Sequence, residues 1–344
     1  MKLGLSVPYT DRIPREMVIA FLQQADRLGY DTVWVAEAYG WDAFTVLTEF
    51  ACRTERIKLG TGIVNVFSRS PALIGQTAAS LDNISGGRFV LGLGTSGHQV
   101  VEGWHGVKFE KGIRRLRETI EVVRAVLRRE KLVYEGEIFH LPMGLKLITH
   151  PPRSRIPIYL ATLTPAGVAL AGEIADGWLP VFFSPSHFRS AIRPQLEKGA
   201  LRSGRDLDQL SICVNQPVVV TDDLDAGRDA VRDQLALYIG GMGSREKNYY
   251  NALFRSYGFE EEAERIQDLY LAGRRAEAKA AITPEMIDLV TIIGDLDECR
   301  RRLSELEACG VDEVSLSLQV PGNEPMKVME ALEALAPTAE GVAG

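Results

Sequence analysis

From its first residues to about residue 318 the chain alternates short apolar runs with stretches of helical periodicity, and that alternation admits few folds. The apolar runs lie at residues 3–7, 32–36, 57–66, 88–93, 156–160, 177–181, 211–220 and 313–318, roughly eight strand candidates. Between them, Ile113, Leu116, Ile120, Val123 and Leu127 recur at intervals of three and four, with arginines and glutamates on the other faces, and predict an amphipathic helix over 113–129. Units of this kind feed a parallel sheet buried on both faces. Periodicity alone does not separate an open doubly wound sheet from a closed (β/α)8 barrel. The even spacing of the first four strand–helix units, and the lack of a glycine turn after the first strand, favour the TIM barrel.

One motif speaks for the open sheet. Phe89-Val90-Leu91 runs into Gly92-Leu93-Gly94-Thr95-Ser96-Gly97, a literal G-x-G-x-x-G. A dinucleotide fingerprint needs a helix directly after those glycines and an acidic residue about 20 positions on, at the end of a second strand. Here Gly103 and Gly106 break the segment after Gly97 before a helix could run several turns. The glycines therefore read as the end of a fourth barrel strand, clearing space for a phosphate or a flat ring.

The alternation is interrupted twice. Residues 134–152 carry Gly136, Pro142, Gly144 and Pro151-Pro152 and read as a hairpin-like insertion. Residues 240–281 open on Gly240-Gly241-Met242-Gly243 and carry Tyr249, Tyr250, Phe254, Tyr257 and Phe259, which either pack a helical excursion or bury a subunit interface. The expected layout is one barrel domain over 1–337 and a flexible tail over 338–344.

A formal net charge of -7 argues against nucleic acid as the main partner. No apolar run approaches the ~18 residues of a membrane span, and Cys52, Cys213, Cys299 and Cys309 form no C-x-x-C pair. These features suit reduced thiols in a cytoplasmic protein with no metal centre and a small-molecule substrate. No G-x-S-x-G or histidine-paired cysteine offers a nucleophile, so the strand ends must carry the chemistry. They present Glu37 and Asp42 after the second strand, Asn65 to Arg69 after the third, and His98, Glu102, Trp104 and His105 after the fourth. After the fifth, Thr164 is placed to cap a helix whose first residue is Pro165. Proton transfer would fall to Glu37, Asp42, His98 or Glu102.

At these strand ends, in residues 29–37, 53–63, 85–94, 100–106, 156–161 and 171–178, the sequence resembles the bacterial-luciferase-like superfamily, most closely its coenzyme F420 oxidoreductases. The resemblance implies a (β/α)8 barrel, a homodimer, and hydride transfer between F420 and a small organic substrate. FMN-dependent monooxygenation and a non-catalytic flavin-binding barrel are the alternatives. It implies cofactor contacts at Gly62, Ile63 and Asn65, with a bulge and a non-prolyl cis peptide at Gly62-Ile63. It further implies contacts at Thr95, Ser96, Gly97, Ala161, Thr162, Leu163 and Thr164, and catalytic roles for Glu37, His98 and Glu102. The chain departs from the family where several members carry Asp-His, having Glu37-Ala38, and where members often carry Gly-Pro-Lys, having Leu163-Thr164-Pro165-Ala166.

Overall fold

The computed structural model describes residues 1–7 and 13–337, so the expected tail at 338–344 lies outside the described residues. Its strands are β1 (Lys2–Val7), β2 (Thr32–Ala36), β3 (Lys58–Asn65), β4 (Phe89–Gly94), β5 (Leu132–Glu135), β6 (His140–Leu145), β7 (Ile158–Leu160), β8 (Gly177–Trp178), β9 (Ser211–Val220), β10 (Ile292–Gly294) and β11 (Glu313–Gln319). Eight of them close a parallel barrel in the order β1-β2-β3-β4-β7-β8-β9-β11, with β11 returning to β1. The open sheet is thereby excluded. Among the described residues no helix is long and apolar enough to cross a membrane.

Two strands differ from the sequence reading. The 177–181 run narrows to β8 plus a single bridge from Val181 to Asn215, while β10 falls in a segment that reads as helical. The two differences share a cause. Ser211 and Ile212 of β9 pair with β8, but Val218 to Val220 have left it and pair with β10 instead.

Packing inside the barrel sets large side chains over glycines on the neighbouring strand. A Cβ on Gly60 would lie 2.3 Å from the Trp34 ring, and one on Gly177 2.5 Å from the Tyr159 ring. Trp34 and Tyr159 meet at 5.6 Å between centroids, and the Trp34 Nε1 donates to buried Glu313 at 2.8 Å. Burial raises the Glu313 carboxyl above its usual range, against the Trp34 bond that lowers it. Outside, helices bury one stripe each: in Gly112–Leu127, Leu116, Ile120, Val123 and Leu127 all face the sheet.

Two excursions leave the strand–helix alternation of the barrel. β5 and β6 pair as an antiparallel hairpin, and the buried carboxylate of Glu118 anchors it by accepting from the backbone N–H groups of Glu137, Ile138 and Phe139 at 2.8, 2.9 and 3.0 Å. The second insertion folds into helices Tyr249–Ser256, Glu260–Leu271 and Arg275–Ala280 around a core of its own. Phe254 is buried in that core and Tyr250, Tyr257 and Phe259 pack on it, so these aromatics hold the excursion together.

The feature that positions the site is a bulge in β3. Gly60 pairs with Val90 but Val64 pairs with Leu93, and Val35 pairs with Thr61 while Ala36 pairs with Ile63, so β3 carries one extra residue relative to both neighbours. Across the gap the Thr61 hydroxyl donates to the Gly92 carbonyl at 2.9 Å and accepts from the Gly92 N–H at 2.7 Å. The bulge is thus present at Gly62-Ile63. The peptide there is trans, as are all others described, which corrects the expected cis bond: the extra residue and the hydroxyl bridge re-aim the strand without it.

Thr61→Val removes the bridge and leaves two buried backbone groups unpaired, so it should cost about 2–3 kcal/mol in urea unfolding. Gly92→Ala places a Cβ 1.8 Å from the Thr61 carbonyl oxygen and should cost about 3 kcal/mol by overpacking.

Candidate active site

The three glycines of the G-x-G-x-x-G run do different things. Gly92 gives way to the Thr61 carbonyl, and Gly94 to Ile63 and to the Ala161 carbonyl, which a Cβ would approach to 2.5 and 2.7 Å. These two are packing glycines. A Cβ on Gly97 would meet nothing within 4 Å, so Gly97 alone borders open space. Thr95, Ser96 and Gly97 are half-buried, and Ser96 takes a left-handed φ of 58° that turns the chain out of β4.

Asn65 closes β3 beneath this loop. Its Oδ1 accepts from the Phe67 N–H at 2.9 Å, and its Nδ2, buried, has no partner among the described residues. A buried amide donor without an acceptor costs on the order of 1–3 kcal/mol, so this group marks where an acceptor belongs. Gly62 and Ile63 are half-buried beside it.

After the turn the chain forms a π-helical segment, Gln99–Trp104, which brings two of the expected proton carriers together. The His98 Nε2 lies 3.1 Å from the Glu102 carboxylate, whose other oxygen accepts from the Phe109 N–H at 2.9 Å. Phe109 stacks on Phe67 at 5.2 Å and meets the His98 ring at 6.0 Å, which ties the β4 loop to the end of β3.

Glu37 belongs to a separate side-chain cluster. It is buried, and Arg69 grips it with two donors at 2.6 and 2.9 Å while the Ala43 N–H adds a third bond at 3.2 Å. Asp42 accepts from the same guanidinium and caps helix Ala43–Arg53 through the Thr45 N–H at 2.7 Å. Burial works against the Asp42 charge, but the Thr45 bonds and Arg69 outweigh it and hold the carboxyl below its usual range. The Glu37 N–H donates to the Ile63 carbonyl at 3.1 Å, so this cluster is fastened to the bulge. A carboxylate held by a bidentate guanidinium positions its surroundings; it is poorly placed to exchange a proton.

At the end of β7, the Ala161 N–H continues the ladder to Leu93 at 2.8 Å, and the Trp178 Nε1 holds the Thr162 carbonyl at 2.9 Å. The Thr162 hydroxyl sits so close over Gly167 that a Cβ there would lie 1.8 Å away. Thr164 caps helix Pro165–Ile174, its hydroxyl accepting from the Gly167 N–H at 3.2 Å. Leu163 packs against the insertion core.

Glu37, Ala38, Gly40, Trp41, Asp42, Ser68, Arg69, Trp104 and His105 line a cleft of about 230 Å³. Sequence reasoning gave Arg69, Trp41 and His105 no role in it. A signal for Arg69 was present: it is the one cation in the segments after β2 and β3, which otherwise hold two acids.

Arg69→Met strands a buried carboxylate and should cost about 3 kcal/mol or more, with Glu37→Gln costing less because an amide oxygen still accepts from Arg69. Since the Asp42 pKa is depressed on folding, its contribution is present above its unfolded value and lost as pH falls through the folded value. Acid unfolding of Arg69→Met should accordingly begin at higher pH than that of the unaltered chain.

The sequence pattern of the luciferase-like monooxygenase family matches residues 2–313. A Mycobacterium tuberculosis protein provisionally named a coenzyme F420-dependent oxidoreductase is 40% identical over 324 residues, covering 90% of this chain and 93% of that one. The 5,10-methylenetetrahydromethanopterin reductase of Archaeoglobus fulgidus is 30% identical over 300 residues, covering 86% and 87%. Among solved structures, the coenzyme F420-dependent tetrahydromethanopterin reductase of Methanopyrus kandleri superposes with a TM-score of 0.83 at 26% identity, over 97% of each chain. The chain belongs to the luciferase-like monooxygenase family and is an oxidoreductase built on that family's barrel.

Proposed function

We propose that this chain is an F420-dependent oxidoreductase that moves a hydride between coenzyme F420 and a small organic substrate. The observation that carries the reading is the 40% identity, over 90% of the chain, to a relative named for that cofactor. The site's own chemistry supports it. The bulge at Gly62-Ile63, the buried Asn65 amide with no acceptor among the described residues, and the open space over Gly97 beyond the end of the neighbouring strand β4 are features that suit a flat ring bearing polar edge atoms.

In this reading Gly62, Ile63 and Asn65 back the ring system, which when bound supplies the carbon that gives or takes the hydride. Thr95, Ser96 and Gly97 border one edge. Ala161, Thr162, Leu163 and Thr164 border the polar tail through backbone and the Thr162 hydroxyl, since the Thr164 hydroxyl is used as a helix cap. The His98–Glu102 pair is the candidate for proton transfer after β4, and Glu37 keeps the β2 and β3 loops in place through Arg69.

A fluorescence titration should show F420 binding at micromolar concentration and FMN at least tenfold more weakly. Binding of reduced FMN but not F420, with oxygen uptake, would instead establish the flavin monooxygenase alternative. Gly97→Leu should lower F420 affinity about tenfold or more while leaving the melting temperature within about 2 °C, because its side chain fills open space.

A further inference from the structure

We propose that Arg115 is an anion-recognition residue beside the ends of β3 and β4, where it takes a carboxylate or phosphate group of the ligand. Five cations lie in residues 108–117, and four of them have acidic partners. Lys108 pairs with Glu110 at 2.8 Å, Lys111 with Glu137 at 2.6 Å, Arg114 with Glu118 at 3.1 Å and Arg117 with Glu173 at 2.7 Å. Arg115 has neither an ion pair nor a side-chain hydrogen bond among the described residues. Its Nε is buried, while the two terminal nitrogens, equally unpartnered, stay within reach of solvent.

Two aromatic rings hold the group in place. The guanidinium carbon lies over Phe67 at 4.6 Å and over Phe139 at 5.1 Å from the ring centroids. Ring faces steady a cation by about 0.5–2 kcal/mol but accept none of its fork of hydrogen bonds. Burial works against the charge more strongly than the nearest acids, Glu118 and Glu110, support it. Both acids are engaged elsewhere, Glu118 by the hairpin N–H groups and Arg114, and Glu110 by Lys108. A side chain needed only to staple Phe139 to Phe67 would do so without a charge, so the unmet donors point to an incoming acceptor.

The position suits a ligand of the proposed cofactor site. The Phe67 N–H is bonded to the Asn65 Oδ1 at 2.9 Å. Gly112, three residues before Arg115, packs so closely on Thr95 that a Cβ there would lie 3.1 Å from the Thr95 methyl group. Arg115 therefore adjoins both strand ends, with Asn65 on one and Thr95 on the other. A guanidinium presents paired donors that match two oxygens of a carboxylate or phosphate. Such an anion has two sources, the phosphate- and carboxylate-bearing tail of the coenzyme or an acidic substrate beside the ring. Arg115 serves either, and its role does not depend on the coenzyme being F420.

The test follows the side-chain Nε–H signal of Arg115 in 1H–15N spectra of the full chain, with inorganic phosphate as the probe. Without coenzyme, phosphate should move that signal saturably, while the signal of Arg114, already paired, stays in place. Phosphate added after saturating F420 separates the two sources. A coenzyme anion moves the Arg115 signal itself and abolishes the phosphate response, whereas a substrate anion leaves the response intact. In the first case Arg115→Met should weaken F420 binding about tenfold or more and leave the tail-free deazaflavin nucleoside within about twofold; in the second it should leave both unchanged. An Arg115 signal indifferent to phosphate and to F420 overturns the proposal and leaves the residue a staple between two rings. Failure of the unaltered chain to bind F420 overturns the cofactor reading instead, and the phosphate titration of the free chain still decides Arg115.

Discussion

One threonine hydroxyl stands at the centre of this molecule's working end. Inserting an extra residue into β3 breaks the ladder to β4, and a buried gap in a ladder leaves a donor and an acceptor without partners. Thr61 answers both through a single oxygen that binds the Gly92 N–H and carbonyl. That close approach is why position 92 must be glycine. It also turns the rest of β3 so that Ile63 offers its carbonyl to Glu37, Asn65 ends buried under the β4 loop, and Arg69 reaches back across the mouth to two carboxylates. The site is an outcome of one defect in an otherwise regular barrel.

The other side of the mouth is built from a second constraint, the division of apolar surface between two cores. Phe182 and Phe183 come just after Leu179, Pro180 and Val181, which follow β8, and part company: Phe182 joins the insertion core and Phe183 the main one. Phe182 takes a left-handed φ of 52° to do so, and the Tyr257 hydroxyl holds its carbonyl at 2.7 Å. For a bulky residue that conformation costs on the order of 1–3 kcal/mol, which the aromatic contacts around Phe182 must offset. The helical insertion is thereby fastened to the barrel at the strand end where β9 changes partner from β8 to β10.

Much of the fold was legible because local patterns carry it. The helix at Gly112–Leu127 and the hairpin at β5 and β6 follow from periodicity and turn residues. β10 was hidden because three apolar residues between helices have no period of their own, and only the long β9 gives them a partner. The site was legible in composition but not in roles. Gly92, Gly94 and Gly97 look alike in sequence; what separates them is which atom of β3 or β7 faces each one, a matter of register between strands. Glu37 reads as an acid until Arg69, 32 positions away, is seen to hold it. His105 has no role in the sequence reading, and only the structure sets it at a cleft assembled from three loops.

The proposed cofactor site has the β3 bulge as its floor. A crystal structure of the chain soaked with F420 tests it most directly. The deazaflavin ring is expected against Gly62-Ile63, with the Asn65 amide bonded to a ring-edge oxygen or nitrogen and Thr61 still bridging Gly92. A ring bound elsewhere in the barrel mouth, or an Asn65 amide that stays unpartnered beneath it, would contradict it.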